Sequence, residues 1–503
     1  MTFRRKIVKG DNVYLYDVRS YRDKNTGKVR QEAKYQGKEV EKDGEKVIQP
    51  PKDRYSVRRS LDSAAYIMYH TAVEEGFLFN YDDALQFHTR IKDAAKKIQI
   101  LAAETIVGPC HSIPLHIGMQ EMSDKEIRDV VELVGERDPD IVSILERSMA
   151  PDLIRKYGSS GIVYDLSAIR YFGDSNTLAE YGHYYHINGE NREINFVLAV
   201  TRKGGIPVHH RPVAGNIPSV SAVSSFSREI KDYGILSVLI VMDRGFYSRE
   251  NIKELKDYEV IGALPSSLTI HDDLLQRSKD IDNSRNYMQY GDETIFHREE
   301  RVAGTRYIVF FSPRLRSRRL ESFYAQLNEK ESQLRDLMKR KFDSHADMVR
   351  TVEYSLNGFR GLVEISYGDG PDNFTYSLKH KAIQRKTNRM GYTILFTNTR
   401  MPAEEVFRIY REKDTVEKAF SHLKPHLEPF FSSSENGTRA KLFLTVLGYT
   451  MVAIIAAKCD IPYNQALKVM SGIREVMYSN GSHAHVEYAK EQRELIEKLK
   501  IDL

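Results

Sequence analysis

Three acidic residues are the side chains in this sequence that are best suited to act as catalytic groups. Asp165 interrupts the apolar stretch IVYDL, Asp243 ends the apolar run SVLIVMD, and Glu417 lies in the segment IYREKDTVEKAFSHLK. A carboxylate within an apolar strand is costly to bury unless it is paired or bound to a metal. If the fold brings the three together, they can hold two divalent cations, Mg²⁺ or Mn²⁺, which catalyse in-line phosphoryl displacement.

Glu417 is predicted to share one stripe of a helix with three other polar residues. Pro402 near the start, acidic residues in the first turn and Pro425 as a stop predict one helix between the two prolines. At about 100° per residue, four side chains fall within about 60° of arc. They are Tyr410, Lys413, Glu417 and Lys424. A tyrosine and two cations around a carboxylate suit a phosphodiester, because the hydroxyl and the cations can bind phosphate oxygens while the carboxylate holds a metal.

Plainer interpretations of the same residues stay open at this point. The stripe also fits a solvated helix face with an i, i+4 pair between Lys413 and Glu417. Asp414 projects only about 40° from Tyr410 and is a rival carboxylate on the same helix. Asp165 and Asp243, each taken alone, also fit satisfied aspartates in a turn or at a strand edge.

The composition indicates a protein with several domains and no cysteine framework. The chain has 503 residues and two cysteines, Cys110 and Cys459, which are too few for a zinc site built on cysteine. The first residues contain no apolar segment of the secretory type, so we expect a cytoplasmic protein. The longest apolar run, 442–457, is shorter than the ~20 residues that a membrane span needs, which favours a buried core helix.

The positive charge is concentrated in a few places and favours a nucleic-acid partner. The formal net charge is only +5, but residues 1–60 hold 17 Lys and Arg against 9 Asp and Glu. Two further basic clusters without any acid are RLRSRR at 314–319 and KHKAIQRKTNR at 379–389. One such cluster is commonly just a solvated face, whereas three in one chain indicate binding of a polyanion such as DNA.

The apolar periodicity predicts a mixed α/β sheet in the middle of the chain. Three successive strands from Gly161 onward are followed by alternating helices and strands. A shifting, polar composition after residue 265 predicts an insertion, and GYTILFTNTR at 391–400 then restores a strand of the parent sheet. In such sheets functional side chains gather at the carboxyl ends of strands, which is where Asp243 lies.

The helical segment carries a recognisable motif. Its residues resemble the Tyr-x2-Arg-x3-Glu-x6-Lys signature of a large group of DDE transposases from bacterial and archaeal insertion sequences, matched as Tyr410, Lys413, Glu417 and Lys424. Lysine replaces the usual arginine at Lys413, which keeps the charge but gives up bidentate contact with phosphate. The pieces YDLSAIRYF, AGNIP, VMDRGF and FTNTR also resemble this family, and the likeness spans roughly residues 160–450.

This resemblance implies a fold, an activity and a set of roles. The fold would be a ribonuclease-H-like domain with a β-rich insertion before the glutamate. Asp165, Asp243 and Glu417 would be catalytic and would hold two divalent cations, Mg²⁺ or Mn²⁺. Tyr410, Lys413 and Lys424 would bind DNA phosphates. The reactions would be cleavage at the terminal inverted repeats, a hairpin intermediate and strand transfer into target DNA, performed by a homodimer associated with the nucleoid of a prokaryote.

The domain organisation follows from these patterns and from the resemblance. Six segments are expected: a basic β-rich DNA-binding head (1–55), a helical DNA-binding region (56–158), the first part of the catalytic domain (159–265), the insertion (266–390), the second part of the catalytic domain (391–460) and a C-terminal helical region (461–503). Two other functions remain possible at this point, namely a ribonuclease-H-like nuclease without strand transfer and a transposase-derived DNA-binding protein without catalysis.

Overall fold

A computed structural model describes most of the chain. The described residues are 2–10, 12–22, 29–42, 45–49, 57–109, 121–158, 161–173, 175–181, 192–217, 219–368, 370, 373–428, 430, 432–478 and 483–502. Cys110 lies outside them, and Cys459 is a buried free thiol. By backbone contacts the chain divides into two compact units, Met1–Leu61 with Arg474–Glu487 and Asp62–Ile473 with Tyr488–Leu503.

Strands and helices are numbered here along the chain. The strands are β1 (Thr2–Lys9), β2 (Asn12–Arg22), β3 (Val29–Lys42), β4 (Glu45–Gln49), β5 (Val57–Asp62), β6 (Ile162–Tyr171), β7 (Glu180–Tyr181), β8 (Arg192–Thr201), β9 (Pro207–Ala214), β10 (Leu239–Met242), β11 (Glu259–Ala263), β12 (Tyr287–Tyr290), β13 (Glu293–Val302), β14 (Thr305–Phe311), β15 (Val363–Tyr367), β16 (Phe374–Leu378), β17 (Tyr392–Thr397), β18 (Arg474–Tyr478) and β19 (His483–His485). The helices are α1 (Ala64–Glu74), α2 (Phe77–Leu85), α3 (Ala94–Val107), α4 (Asp124–Gly135), α5 (Ile141–Tyr157), α6 (Ser219–Asp232), α7 (Arg249–Glu254), α8 (Thr269–Arg277), α9 (Pro313–Leu337), α10 (His345–Ser355), α11 (His380–Asn388), α12 (Ala403–Arg411), α13 (Asp414–Leu427), α14 (Glu435–Cys459), α15 (Tyr463–Ser471) and α16 (Lys490–Leu499).

The smaller unit consists of antiparallel strands. β1 to β4 pair in sequence order, as expected for consecutive strands joined by short turns. Tyr16 and Tyr35 pack against each other on this sheet with ring centroids 5.2 Å apart. β5, β18 and β19 form a second small sheet. The segment 461–503, expected to be helical, is therefore interrupted by two strands, because β18 pairs with β5 on one side and with β19 on the other.

A ten-stranded mixed sheet forms the centre of the larger unit. β6 pairs antiparallel with β8, β8 pairs antiparallel with β9, and β10 and β11 are added in parallel on the other side of β6. β8 and β10 are buried along almost their whole length, as strands covered on both faces require. The predicted mixed α/β sheet is thus confirmed.

The segment 266–390 contributes to this sheet as well as to a separate layer. β14 pairs with β17, and β13 and β12 extend the sheet outward, so three strands of the expected insertion continue the main sheet. The cause lies in TRYIVFF of β14, whose residues are buried after the first and must be covered on both sides. The helices α9 to α11 and the pair β15–β16 then form small apolar clusters of their own.

Helix α14 is the central core helix of the larger unit. It is long and apolar enough to cross a membrane, but 89% of its apolar window is buried inside the protein, as expected of a core helix. It packs on α3, and a Cβ at Gly448 would overlap the carbonyl oxygen of Ala102 and press on Ile106. Glycine at this position therefore allows the two helices to approach closely.

We expect Gly448→Ala to destabilise the protein by about 1–3 kcal/mol, because the added methyl group overpacks the α3–α14 contact. The free energy of unfolding in urea measures the effect. Gly361→Ala is the control, since a Cβ there has no neighbour within 4 Å. Equal stability of the two variants would show that the helices are not in close contact at Gly448.

Candidate active site

Strand pairing places Asp165 and Asp243 next to each other. β10 runs parallel to β6 with Met242 opposite Tyr164, so the residues that follow, Asp243 and Asp165, lie on adjacent strands at the same level. Neighbouring strands are about 4.8 Å apart. Asp243 leaves its strand at this point and begins a short 3₁₀ turn, as is typical for functional residues at the carboxyl ends of strands.

Asp165 is held in a poorly solvated position beside other carboxylates. Burial raises the pKa of Asp165 to about 7, and the charges of Asp243 and Glu417 add to the rise. Two contacts oppose it: the N–H of Leu166, which donates to the carboxylate at 2.8 Å, and the ammonium charge of Lys413. The neighbouring cation therefore does not fully compensate the burial of a charge at Asp165.

Asp243 receives direct contacts from two residues of the predicted motif. The hydroxyl of Tyr410 donates to its Oδ1 at 3.0 Å, and Lys413 Nζ lies 3.3 Å from the same oxygen. Burial raises the pKa of Asp243, but Lys413, the N–H of Arg244 and Tyr410 together outweigh burial and leave the pKa below its usual range. Burial, followed by the charge of Asp243, raises the pKa of Tyr410 strongly, so its hydroxyl keeps its proton as a donor.

Lys413 joins Glu417 to this group. Its Nζ lies 3.1 Å from Glu417 Oε1, and the Glu417 side chain is 55% exposed. Burial lowers the pKa of Lys413, but Asp243 and Glu417 outweigh burial and raise it. The structure therefore brings five of the six predicted site residues near one another. Asp243 and Glu417 pair with Lys413, and Tyr410 donates to Asp243. Asp165 lies on the strand next to Asp243 and interacts with Lys413 electrostatically.

The helix that carries the motif is broken, contrary to the sequence prediction of one continuous helix. α12 ends at Arg411 and α13 begins at Asp414, with tight i→i+3 hydrogen bonds from Lys413 N to Tyr410 O and from Thr415 N to Glu412 O. The Thr415 hydroxyl also donates to the Glu412 carbonyl at 2.8 Å, a contact that commonly bends helices. Arg202 binds the Glu412 carboxylate, at the interruption, at 2.9 Å.

The expected helix stop at Pro425 is also wrong. The proline lies inside α13, which ends two residues later at Leu427.

Lys424 lies apart from the group around Lys413. It is about 10 Å from Glu417 along the helix axis, at 1.5 Å per residue. Burial lowers the pKa of Lys424, and the charges that affect it next most are those of Glu428 and Arg170. Because Arg170 is near the end of β6, Lys424 lies beside that end of the strand. The rival Asp414 is 53% exposed and pairs with Lys418 at 3.3 Å, which leaves Glu417 as the helix carboxylate at the site.

The donor set suits hard divalent cations. Asp165, Asp243 and Glu417 offer carboxylate oxygens, the ligands that Mg²⁺ and Mn²⁺ prefer. Burial first, and then repulsion from Asp243 and Glu417, raises the pKa of Asp165. Within the described ranges no three His, Cys, Asp or Glu side chains are close enough to form a complete metal cluster. The three carboxylates fit such cations by their chemistry, because they are oxygen ligands. In this structure the Lys413 ammonium lies between two of them, Asp243 and Glu417.

A large basic cleft opens next to Asp243, and its lining joins the predicted residues Asp243, Tyr410 and Lys413 to cations that the sequence did not assign to the site. Its volume is about 960 Å³, and its lining includes Arg244, Arg319, Lys386 and Arg411. Two of these residues fall in basic clusters whose charge was evident in the sequence. Only the fold shows that α9, α11 and the end of α12 bring three of these cations beside Asp243, where Arg244 of the 3₁₀ turn is the fourth.

The fold and the site together define a mixed α/β protein with an acidic group at adjacent strands, bordered by cations. Residues 157–451 match the family described as the transposase DDE domain. This match covers more than half of the chain, so the protein belongs to that family and is a transposase.

Comparison with solved structures finds similarity to a piggyBac transposase in a synaptic complex with hairpin DNA. The identity is 11% and the TM-score is 0.31, over 87% of this chain and 69% of that one. Comparison with curated proteins finds no match.

We expect the metal-free protein to lose stability as pH rises, because the pKa of Asp165 is about 7 when folded and near 4 when unfolded. The unfolded chain loses this proton first, so the penalty grows between about pH 4 and pH 7 and reaches at most about 4 kcal/mol. Asp165→Asn removes the penalty.

Urea unfolding in EDTA at pH 5 and pH 8 measures this difference. The gain in stability from Asp165→Asn is expected to be larger at pH 8. Asp414→Asn, on the exposed side of α13, serves as the control. A gain that is the same at both pH values would contradict the burial of the Asp165 carboxylate.

Proposed function

We propose that this transposase binds the terminal inverted repeats of an insertion sequence and catalyses metal-dependent cleavage and strand transfer of DNA. The observation that carries the proposal is the pairing of Asp243 and Glu417 with the Lys413 ammonium, with Asp165 on the strand next to Asp243, within a domain of the DDE family. The motif around Glu417 further supports assignment to the group with the Tyr-x2-Arg-x3-Glu-x6-Lys signature, from a bacterial or archaeal element.

The three carboxylates would hold two divalent cations, Mg²⁺ or Mn²⁺. When bound, the metals supply activation of water or of a 3′-hydroxyl and stabilisation of the leaving oxygen. The protein's own contribution is positional. Pairing of β6 with β10 fixes the two aspartates, and the N–H of Leu166 orients one oxygen of Asp165.

Tyr410 and Lys413 would bind phosphate oxygens at the cut. Both now contact Asp243, and both are donors whose protonated forms are favoured by their surroundings. Lys413 would exchange a carboxylate for a phosphate oxygen as DNA enters. Lys424, further along α13, would bind a phosphate away from the cut.

The strand order supports a ribonuclease-H-like catalytic domain. Antiparallel β9, β8 and β6 are followed by β10 and β11 in parallel, and this layout presents both aspartates on central strands. Residues 159–265 and 391–460 would form this domain, with 266–390 inserted between its parts.

Recognition of the terminal repeats would belong to the head, 1–55, and the helical region, 56–158. The head's basic composition supports this role, because DNA affinity depends strongly on phosphate neutralisation. We further propose a homodimer that bridges two element ends, a hairpin intermediate in cut-and-paste transposition, and activity on the nucleoid in the cytoplasm.

A cleavage and joining assay on end-labelled duplexes from the element's borders, with Mg²⁺ or Mn²⁺, tests the proposal. We expect Glu417→Gln to reduce both reactions by a factor on the order of 10³ or more, as removal of a catalytic group commonly does. Asp414→Asn, which changes the neighbouring exposed carboxylate on the same helix, should retain activity.

Three other outcomes would contradict parts of the proposal. Cleavage by the wild type without any joining would indicate a nuclease. Specific binding of the ends without cleavage would indicate a DNA-binding protein that lacks catalysis. Cleavage that survives in Glu417→Gln and is lost in Asp414→Asn would mean that Asp414 is the catalytic carboxylate.

A further inference from the structure

A tight turn between β8 and β9 packs against the junction of α12 and α13. Hydrogen bonds within the turn close it: the Thr201 hydroxyl donates to the carbonyl of Lys203 at 2.8 Å and accepts from the N–H of Ile206 at 3.0 Å. Positive φ angles at Gly204 and Gly205, 89° and 62°, let the chain reverse within these few residues. The turn therefore has a well-defined conformation.

Arg202 in this turn links the junction to the central sheet. Its Nε lies 2.9 Å from the Oε2 of Glu412, the first residue after α12. Its backbone N–H donates at 2.9 Å to the carbonyl of Gly161, which immediately precedes β6, the strand that carries Asp165. The Arg202 side chain is only 16% exposed, so water and salt screen its ion pair less than they screen a surface pair.

Two further contacts of the turn reach the first turn of α13. The hydroxyl of Thr415, which donates to the Glu412 carbonyl, also lies 3.4 Å from the carbonyl oxygen of Arg202. A Cβ at Gly205 would lie 3.2 Å from Cγ2 of Thr415 and 3.5 Å from the hydroxyl of Tyr449. The turn between β8 and β9 therefore contacts the chain on both sides of the interruption.

Glu412 lies between two residues that contact Asp243. Tyr410 and Lys413 both reach the Oδ1 of that aspartate. Residues one or two positions apart on a helix do not share a face, so Glu412 projects in a different direction from both. Arg202 therefore holds the junction from another side than Asp243 does.

The ion pair between Arg202 and Glu412 does not depend on the contacts that would change during the reaction. Under the proposed function, Lys413 exchanges Asp243 for a phosphate oxygen as DNA enters. Neither Arg202 nor Glu412 takes part in that exchange, so their ion pair can persist through it. A persistent contact would keep the junction in place when the contact between Lys413 and Asp243 is broken.

We infer that Arg202 is a positioning residue, which acts through Glu412 to hold the polar side chains of the motif beside Asp243. The inference rests on the proposed function, because it concerns the placement of groups that would bind metal and phosphate. Partners that orient such groups from outside commonly contribute about 10- to 100-fold to metal affinity or activity.

Cleavage of duplexes from the element's ends, at saturating Mg²⁺, measures the effect on the reaction. We expect Arg202→Ala to lower kcat about tenfold or more and to change the KM for DNA less than about threefold, because the reacting groups are displaced while the DNA-binding surface is kept. Arg202→Lys keeps the charge and should recover part of the rate.

Double variants show whether Arg202 acts through Glu412. Glu412→Gln alone should cause a similar loss of kcat, and Arg202→Ala added to Glu412→Gln should cause no further loss, since the contact is already gone. The exchanged pair Arg202→Glu/Glu412→Arg should restore part of the rate.

Arg439→Ala is the matched control for the loss of a buried arginine. Arg439 is 8% exposed and pairs with Asp140 at 2.6 Å, which joins α14 to the start of α5. This variant should lower the free energy of unfolding but leave kcat near that of the wild type.

Hydrogen exchange in the metal-free, DNA-free protein separates this inference from the proposed function. Peptides from the end of α12 and the first turn of α13 should exchange on the order of tenfold faster in Arg202→Ala, because the junction opens locally. Peptides from β13 should exchange as in the wild type. Faster exchange at the junction together with a wild type that does not cleave DNA would contradict the proposed function and leave the role of Arg202 at the junction intact.

Three results would overturn the inference. Wild-type exchange at the junction in Arg202→Ala would show that the ion pair does not hold it. A wild-type kcat in Arg202→Ala would show that the reacting groups do not depend on it. A rise in KM alone that persists in the Glu412→Gln background would show that Arg202 contacts DNA itself.

Discussion

The parallel pairing of β6 with β10 is the constraint on which the site depends. This register puts Asp165 and Asp243 on adjacent strands at one level, in a poorly solvated position where two carboxylates repel each other. Such a pair persists only if cations compensate it, and Lys413 performs that role in the present structure. Tyr410 and Lys413, three residues apart and therefore on one face, both reach Asp243.

The surrounding helices and strands keep this arrangement in place. β8 is buried on both faces and holds β6 from the other side, so the position of Asp165 is fixed by the interior of the sheet. The positive charge on the rim comes from outside the core strands, mainly from α9, α11 and α12. The acidic residues and the basic cleft are thus separate parts of the fold that meet at Asp243.

The sequence predicted the parts of this site that depend on local pattern. Apolar runs that end in an aspartate are typical of sheet strands, and the mixed sheet followed from their order. Asp165, Asp243, Tyr410, Lys413 and Glu417 were all identified before the fold was known. The interruption at Glu412 and Lys413 is not evident from the apolar pattern, because it involves a side-chain bond from Thr415 and an ion pair with the distant Arg202. The strand β14 was assigned to an insertion for a similar reason, since its pairing with β17 is non-local.

The arginine cleft could not be predicted either, because charge clusters at 314–319 and 379–389 do not reveal which face they share.

Binding of Mn²⁺ to the metal-free protein, followed by electron paramagnetic resonance, tests most directly whether the paired aspartates form a metal site. We predict that wild type binds Mn²⁺ and that Asp165→Asn and Asp243→Asn each weaken binding at least tenfold, while Asp414→Asn binds like wild type. Unchanged Mn²⁺ affinity in both asparagine variants at positions 165 and 243 would contradict the assignment of these carboxylates as ligands.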